Sequence, residues 1–309
     1  GRLRDTLIDQ GVDVIAVRRK GSPPAKRGRS IELSYDDRDG IARMIRHEKP
    51  DWVFHVAGVT KGVTYDDFRN GNVMPTRNLL ETVRDEHPAV QRFVHVSSLT
   101  SYGPSAPDQP HVESSPRRPI EYYGESKLEA ERMVEAEHGV PWTILRPGGV
   151  YGPGDVDYFE LFKQIERGFD VYFGNKNRVF SGIYVDDFVS ALLFSAQHPD
   201  TVGKGYFVCD GVPVTWQRFQ QQIVKASGKR VRTLDLPEII VDIAALGGEW
   251  MTRLDHKPRL FNRQKAKMGA QPAWTCKSDA LRALGWTSNT TIEQGIPATL
   301  AWYREHHWL

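Results

Sequence analysis

Tyr123 and Lys127 stand four residues apart in the run Glu121-Tyr122-Tyr123-Gly124-Glu125-Ser126-Lys127. The surrounding EYYGESKLEAERMVEAE has no proline, many Glu, Ala and Lys, and apolar residues at helical spacing, so a helix is predicted there. On a helix, residues four apart share a face, which aims the phenol and the ammonium into one cleft. A free tyrosine has a pKa of roughly 10, and a neighbouring cation favours the phenolate and lowers that value. Such a pair suits proton exchange with an alcohol near neutral pH. The spacing alone is common by chance, so the rest of the chain has to carry the argument.

Strands alternating with helices must position the pair. GRLRDTLIDQG reads as a helix closed by Gly11, VDVIAVRR and RSIELSY as strands, and DDRDGIARMIRHEKP as a helix. DWVFHVAG is a buried strand ending on small residues, 72–86 a helix, VQRFVHVSS a strand, and PWTILRPGGVYGPGD a strand running into a glycine-rich turn. This alternation predicts an α/β fold, a doubly wound parallel sheet with helices on both faces. Ligands then bind outside the carboxyl ends of the strands. Beyond residue 150 the pattern turns to aromatics, turns and short helices, although segments around 181–210 read as returning to the sheet.

Composition excludes several classes. Lysine and arginine total 41 against 39 acidic residues, a net charge of +2. That balance gives no electrostatic case for nucleic acid or an acidic membrane surface. The basic run Arg18, Arg19, Lys20, Lys26, Arg27, Arg29 is local. Two cysteines, Cys209 and Cys276, make no disulfide framework, and no metal-ligand spacing of Cys or His exists. His55 is expected to be a satisfied buried histidine. No apolar run approaches the ~20 residues of a membrane span, and no signal peptide is seen. A reducing cytosol is the default expectation.

The chain resembles the extended short-chain dehydrogenase/reductase superfamily, also described as the NAD-dependent epimerase/dehydratase family. The residues that carry the resemblance are His55–Gly58 (HVAG), Asn72-Val73 with Thr76, Val96–Pro104 (VSSLTSYGP), Tyr123 with Lys127, Arg146–Asp155 (RPGGVYGPGD), Tyr184–Asp187 (YVDD) and the LGW-then-helix C-terminus. Their order and spacing cover essentially the whole chain. The resemblance implies a Rossmann-type dinucleotide-binding domain over 1–150 and a smaller substrate-binding lobe over 151–309. It implies a catalytic set of Ser98, Tyr123 and Lys127. Ser98 is preferred over Ser97, which strand alternation turns to the other face. Ser98 would orient the substrate oxygen, Tyr123 would exchange the proton, and Lys127 would lower the tyrosine pKa and bond the nicotinamide ribose.

Cofactor contacts are expected at Gly1, Arg18, Arg19, Ser34, Tyr35, Val56, Ala57, Gly58, Val96, Pro147, Gly148 and Gly149, besides Tyr123 and Lys127. Gly1 resembles the last glycine of a G-x-x-G-x-x-G loop at a helix N-terminus, so the chain is expected to lack a leading strand and loop of about a dozen residues. Val17-Arg18-Arg19 has arginines where NAD enzymes carry an acid, which favours NADP(H) over NAD(H). Substrate contacts are expected from Ser98, Thr100, Tyr123 and Tyr151, with Tyr158 and Phe159 nearby. An apolar face of Ile239, Ile240, Ile243, Leu246, Trp250 and Met251 is expected to be core or a lid. Arg178, in FGNKNRVF, is expected to be solvated.

Leu99-Thr100 replaces the Asp-Glu of sugar-nucleotide dehydratases, which disfavours that chemistry. Gly149 replaces the Asn of many epimerases and leaves room for a bulkier substrate, as in 3β-hydroxysteroid dehydrogenase-like and dihydroflavonol reductase-like members. The expected activity is therefore a ketone/alcohol oxidoreductase acting on a small molecule. The alternatives are a sugar-nucleotide epimerase and a non-catalytic dinucleotide-binding relative. The family also implies a homodimer built on helices 72–86 and 123–137.

Overall fold

A computed structural model describes residues 1–240 and 263–309. The first half runs α1 (Arg2–Asp9), β1 (Ile15–Arg18), β2 (Arg29–Glu32), α2 (Arg38–Glu48), β3 (Trp52–His55), α3 (Tyr65–Phe68), α4 (Met74–Glu86), β4 (Arg92–Val96), α5 (Tyr122–Glu135) and β5 (Trp142–Pro147). The second half continues with β6 (Gly149–Tyr151), α6 (Phe159–Glu166), β7 (Phe169–Phe173), β8 (Val179–Phe180), β9 (Gly182–Tyr184), α7 (Val185–Gln197), β10 (Lys204–Val208), β11 (Val214–Thr215), α8 (Trp216–Ser227) and β12 (Arg232–Leu236). Further helices at Arg263–Gly269, Asp279–Arg282 and Ile292–Glu305 follow, with a two-residue strand at Ala273–Trp274.

Four parallel strands lie in the order β10-β5-β4-β3, and β1 and β2 form a separate parallel pair. Alternation along β4 explains the two packed faces. Phe93 points to one side, where Ile41, Ile45, Leu79, Val83 and Val134 of α2, α4 and α5 meet it. Val94 and Val96 point to the other, against Phe188, Ala191 and Leu192 of α7. Leu7 of α1 joins Val189 and Leu193 on that same side. This is the α/β parallel architecture the sequence predicted. The strands carry Val, Ile and Phe on both faces because helices cover both.

A second core gathers Phe162 and Ile165 of α6, Phe219 and Ile223 of α8, and Ile296, Leu300 and Tyr303 of Ile292–Glu305. Aromatic rings dominate it, with Phe219 edge-on to Tyr151 at 5.4 Å and stacked Phe180 and Trp216 at 4.4 Å. The short strands β7 to β9, β11 and β12 were not predicted, since they lie among turns and aromatics without the strand–helix alternation that marks β1 to β5. Ile243, Leu246, Trp250 and Met251 of the expected apolar face lie outside the described residues.

The helix predicted to begin at Asn72 starts earlier. It runs from Tyr65 through a π-helical turn at Arg69–Val73 into α4. Thr64 and Asp67 form a reciprocal capping box at its start, a T-x-x-D signal of helix entry. Such π turns are rare and concentrate where a side chain must be re-aimed, and here the turn holds Asn72.

Candidate active site

Two local features present Tyr123. Glu121 caps α5, accepting the Tyr123 and Gly124 amides at 2.7 Å each. Gly124 lets the helix approach the turn after β4: a Cβ there would lie 2.4 Å from the Thr100 carbonyl oxygen. Opposite, β4 ends at Val96 and the chain enters a 3-10 turn, Leu99–Ser101, capped by Ser98. The Ser98 Oγ accepts the Thr100 amide at 3.2 Å and the Thr100 hydroxyl at 3.0 Å. It also faces the Tyr123 phenol and favours its ionised form.

Lys127 follows one turn after Tyr123. Its buried Nζ donates to the Val96 carbonyl at 2.9 Å and lies 5.9 Å from the Tyr123 ring centroid. Ser98, Tyr123, Lys127 and Val96 are thus brought together, with Thr100 on Ser98. Ser97 points away, its hydroxyl donating to Glu131.

The electrostatics correct one expectation. Lys127 was expected to lower the Tyr123 pKa. Instead burial pushes the phenol up to about 12, with Ser98 pulling the other way. Burial also lowers Lys127 to about 8, against the opposing pull of Glu131. Desolvation of the charged form dominates at both groups.

Val56, Ala57 and Gly58 leave β3 at its carboxyl end, with Val56 49% exposed. A Cβ on Gly58 would lie 2.8 Å from Asn72 Oδ1 and 3.3 Å from Lys127 Nζ. Asn72 in turn accepts the Val59 amide at 2.7 Å and donates to the Val59 carbonyl at 3.1 Å and to Ser126 at 2.9 Å. Asn72 therefore ties the loop after β3 to the helix carrying Tyr123. The sequence marked it as a motif residue without a role, because the tie spans 54 residues.

A dinucleotide suits this surface, since it needs a shelf of small residues at the strand ends and a buried ammonium beside it. The exposed Gly1 N-cap opens α1 with no side-chain cap, leaving amides for phosphate oxygens. Arg19 is exposed. Arg18 donates through Nη1 to Glu32 and, at 2.7 Å, to the Ser22 carbonyl. Ser34 is exposed and caps the Asp36 amide at 3.2 Å. Tyr35 turns its ring edge-on to His55 at 5.5 Å, and its carbonyl accepts from Asn78.

Pro147 is buried at the end of β5. Gly148 serves packing, since a Cβ there would lie 2.2 Å from the Ser181 carbonyl oxygen. Gly149 corrects a second expectation. A Cβ on it would lie 2.1 Å from the Tyr158 hydroxyl oxygen, so the space a side chain would use is filled by that phenol. Tyr158 is braced by Phe180, Trp216 and Phe219.

Tyr151, expected at the substrate, is 1% exposed within the second core, and its hydroxyl is buried without a partner among the described residues. Gly295 permits this packing: a Cβ there would lie 2.8 Å from that hydroxyl. Arg178, expected to be solvated, pairs with Glu238. His55 is buried and bonds Thr76 at 2.9 Å through Nε2, while Nδ1 has no partner among the described residues. Burial holds it neutral, its pKa lowered to about 3.

Residues 1–209 match the family described as NAD dependent epimerase/dehydratase family, and the chain belongs to it. Among curated proteins, it is 26% identical to a 3-beta-hydroxysteroid dehydrogenase of Mycolicibacterium neoaurum, over 97% of this chain and 87% of that one. It is 25% identical to the decarboxylating sterol-4-alpha-carboxylate 3-dehydrogenase of Saccharomyces cerevisiae, over 86% and 80%. Of solved structures, UDP-glucose 4-epimerase of Thermotoga maritima superposes with a TM-score of 0.82 at 22% identity, covering 99% of this chain and 95% of that one. That likeness shows the Rossmann-type fold. The chain is accordingly an enzyme of the NAD-dependent dehydrogenase, epimerase and dehydratase class.

Among the described residues no helix is long and apolar enough to cross a membrane.

Proposed function

We propose that this enzyme interconverts a ketone and a secondary alcohol of a small-molecule substrate, with NADP(H) preferred over NAD(H). The observation that carries the reading is the close packing of the Tyr123 turn of α5 on the Ser98–Thr100 turn, with Lys127 one helical turn behind. The nicotinamide supplies or accepts the hydride. Ser98 orients the substrate oxygen by hydrogen bonding. A phenol kept protonated by burial donates its proton to that oxygen in reduction and recovers it in oxidation. Lys127 holds the ribose side of the cofactor beside Gly58 and Val96. Arg19, the exposed member of the arginine pair, supports the preference for a 2′-phosphate.

Tyr158 over Gly149 supports an oxidoreductase rather than a sugar-nucleotide epimerase, because no amide fits at 149 without displacing the phenol. Residues 151–309 mainly form the substrate lobe in this reading, with segments around 181–210 returning to the sheet, and Thr100 joins Ser98 on the substrate side. The family resemblance extends it to a cytosolic homodimer paired through α4 and α5, without nucleic-acid or membrane partners.

The decisive experiment follows NADPH absorbance with a panel of ketones and steroids. The Tyr123→Phe variant should lose turnover at least 100-fold while binding NADPH as the parent does. Turnover that survives the substitution defeats the assignment. Isomerisation of a UDP-sugar without net NADPH change would make the enzyme an epimerase.

A further inference from the structure

Glu131 is fully buried on α5, one turn beyond Lys127. Its Oε1 accepts from the Ser97 hydroxyl, and from the Ser101 hydroxyl at 2.7 Å. Ser101 Oγ also lies 2.8 Å from the Ser98 carbonyl oxygen. The backbone on both sides of Ser98 is thus fastened to the helix that carries Tyr123 and Lys127. The other oxygen, Oε2, accepts from Arg146 Nε of β5 at 2.9 Å and lies 3.3 Å from Arg117. Arg146 is itself buried, and both arginines also reach Glu135.

Isolated, this carboxylate would be costly to bury. Two guanidiniums and two hydroxyls satisfy it. Packing alone does not require a charge here, since an apolar side chain of similar volume is often neutral or better at such positions. The charge does something an apolar residue cannot. It joins three elements converging on the site, the ends of β4 and β5 and helix α5.

We infer that Glu131 is a positioning residue that sets the distance between Ser98 and the Tyr123–Lys127 face. The inference rests on the catalytic roles proposed above. Lys127 is faced from α5 by Tyr123 and Glu131, and from the sheet by His55 and His95. Both histidines are buried and held neutral. Glu131 is therefore the anion that offsets the desolvation of the ammonium, and removing it lowers the lysine pKa further.

The test compares Glu131→Gln and Ser101→Ala with the parent enzyme. Glu131→Gln should lower kcat about 10- to 100-fold and leave KM within about threefold. The alkaline limb of NADPH binding, followed by nucleotide fluorescence, should move to lower pH. That titration reads the lysine charge without turnover, so it stands even if the substrate class proposed above is wrong. Ser101→Ala keeps the ion pairs intact, and should lower kcat severalfold with no shift in that limb. A folded Glu131→Gln enzyme with parental kcat and parental pH dependence overturns the inference. Should Glu131→Gln fail to fold, parental kcat in Ser101→Ala overturns it instead.

Discussion

Gly149 and Tyr158 show how a single residue can mislead when read alone. The missing side chain at 149 suggested open space, yet the Tyr158 hydroxyl fills it, held by three aromatic neighbours. Tyr158→Phe keeps those ring contacts and removes only the hydroxyl. Its expected result is less than about 1 kcal/mol of lost stability, because no protein group among the described residues bonds that oxygen. A change in KM would mark the hydroxyl as a substrate contact. Gly149→Asn should cost about 1–3 kcal/mol through overpacking, read as a lowered urea midpoint. Free accommodation of the asparagine would show that Tyr158 swings away.

The helix α5 is where local sequence and tertiary contact meet. Its cap, Glu121, is buried, and desolvation pushes its carboxyl up to about 7 although the Tyr123 and Gly124 amides pull it down. A folded-state value above the ordinary 4.5 means the folded protein holds the proton more tightly than the unfolded chain. The associated stability is fully present below pH ~4.5 and is lost as pH rises through ~7. Glu121→Gln should remove that part of the pH dependence, measured as the difference between parent and variant melting curves across the window. An identical slope in both would rule Glu121 out as its source. Gly124→Ala tests the close approach itself. A methyl 2.4 Å from the Thr100 oxygen must push the helix off the Ser98 turn. The expected loss is about 1–3 kcal/mol, with kcat falling more than NADPH affinity.

The whole molecule divides its work between the parallel sheet and the aromatic second core. Phe219 sits where the second core supports Tyr158, touching Tyr151, Phe180 and Trp216 as well. Phe219→Ala should destabilise by about 3–5 kcal/mol and raise KM for substrate well before it weakens NADPH binding. Equal losses in both would mean that the two regions unfold as one unit. The proposed preference for NADP(H) also belongs to this scale. With Arg18 paired to Glu32, Arg19 would be the arginine to meet a 2′-phosphate. Arg19→Ala should weaken NADPH at least tenfold and spare NADH, as read by fluorescence titration.

Periodicity and short motifs alone determined the parallel α/β architecture, the Tyr123–Lys127 helix and the family. Those signals are local: 3.6- and 2-residue repeats and spacings within one element. Strand alternation also separated Ser97 from Ser98, because side chains on a strand must alternate faces. Tertiary structure decided what depends on distant neighbours. Tyr151 became core because Phe219 and Gly295 close around it, Arg18 was taken by Glu32, and the Tyr123 phenol was raised by burial. Desolvation, close packing and ion pairing depend on who arrives from elsewhere in the chain, and no spacing within a single segment encodes that.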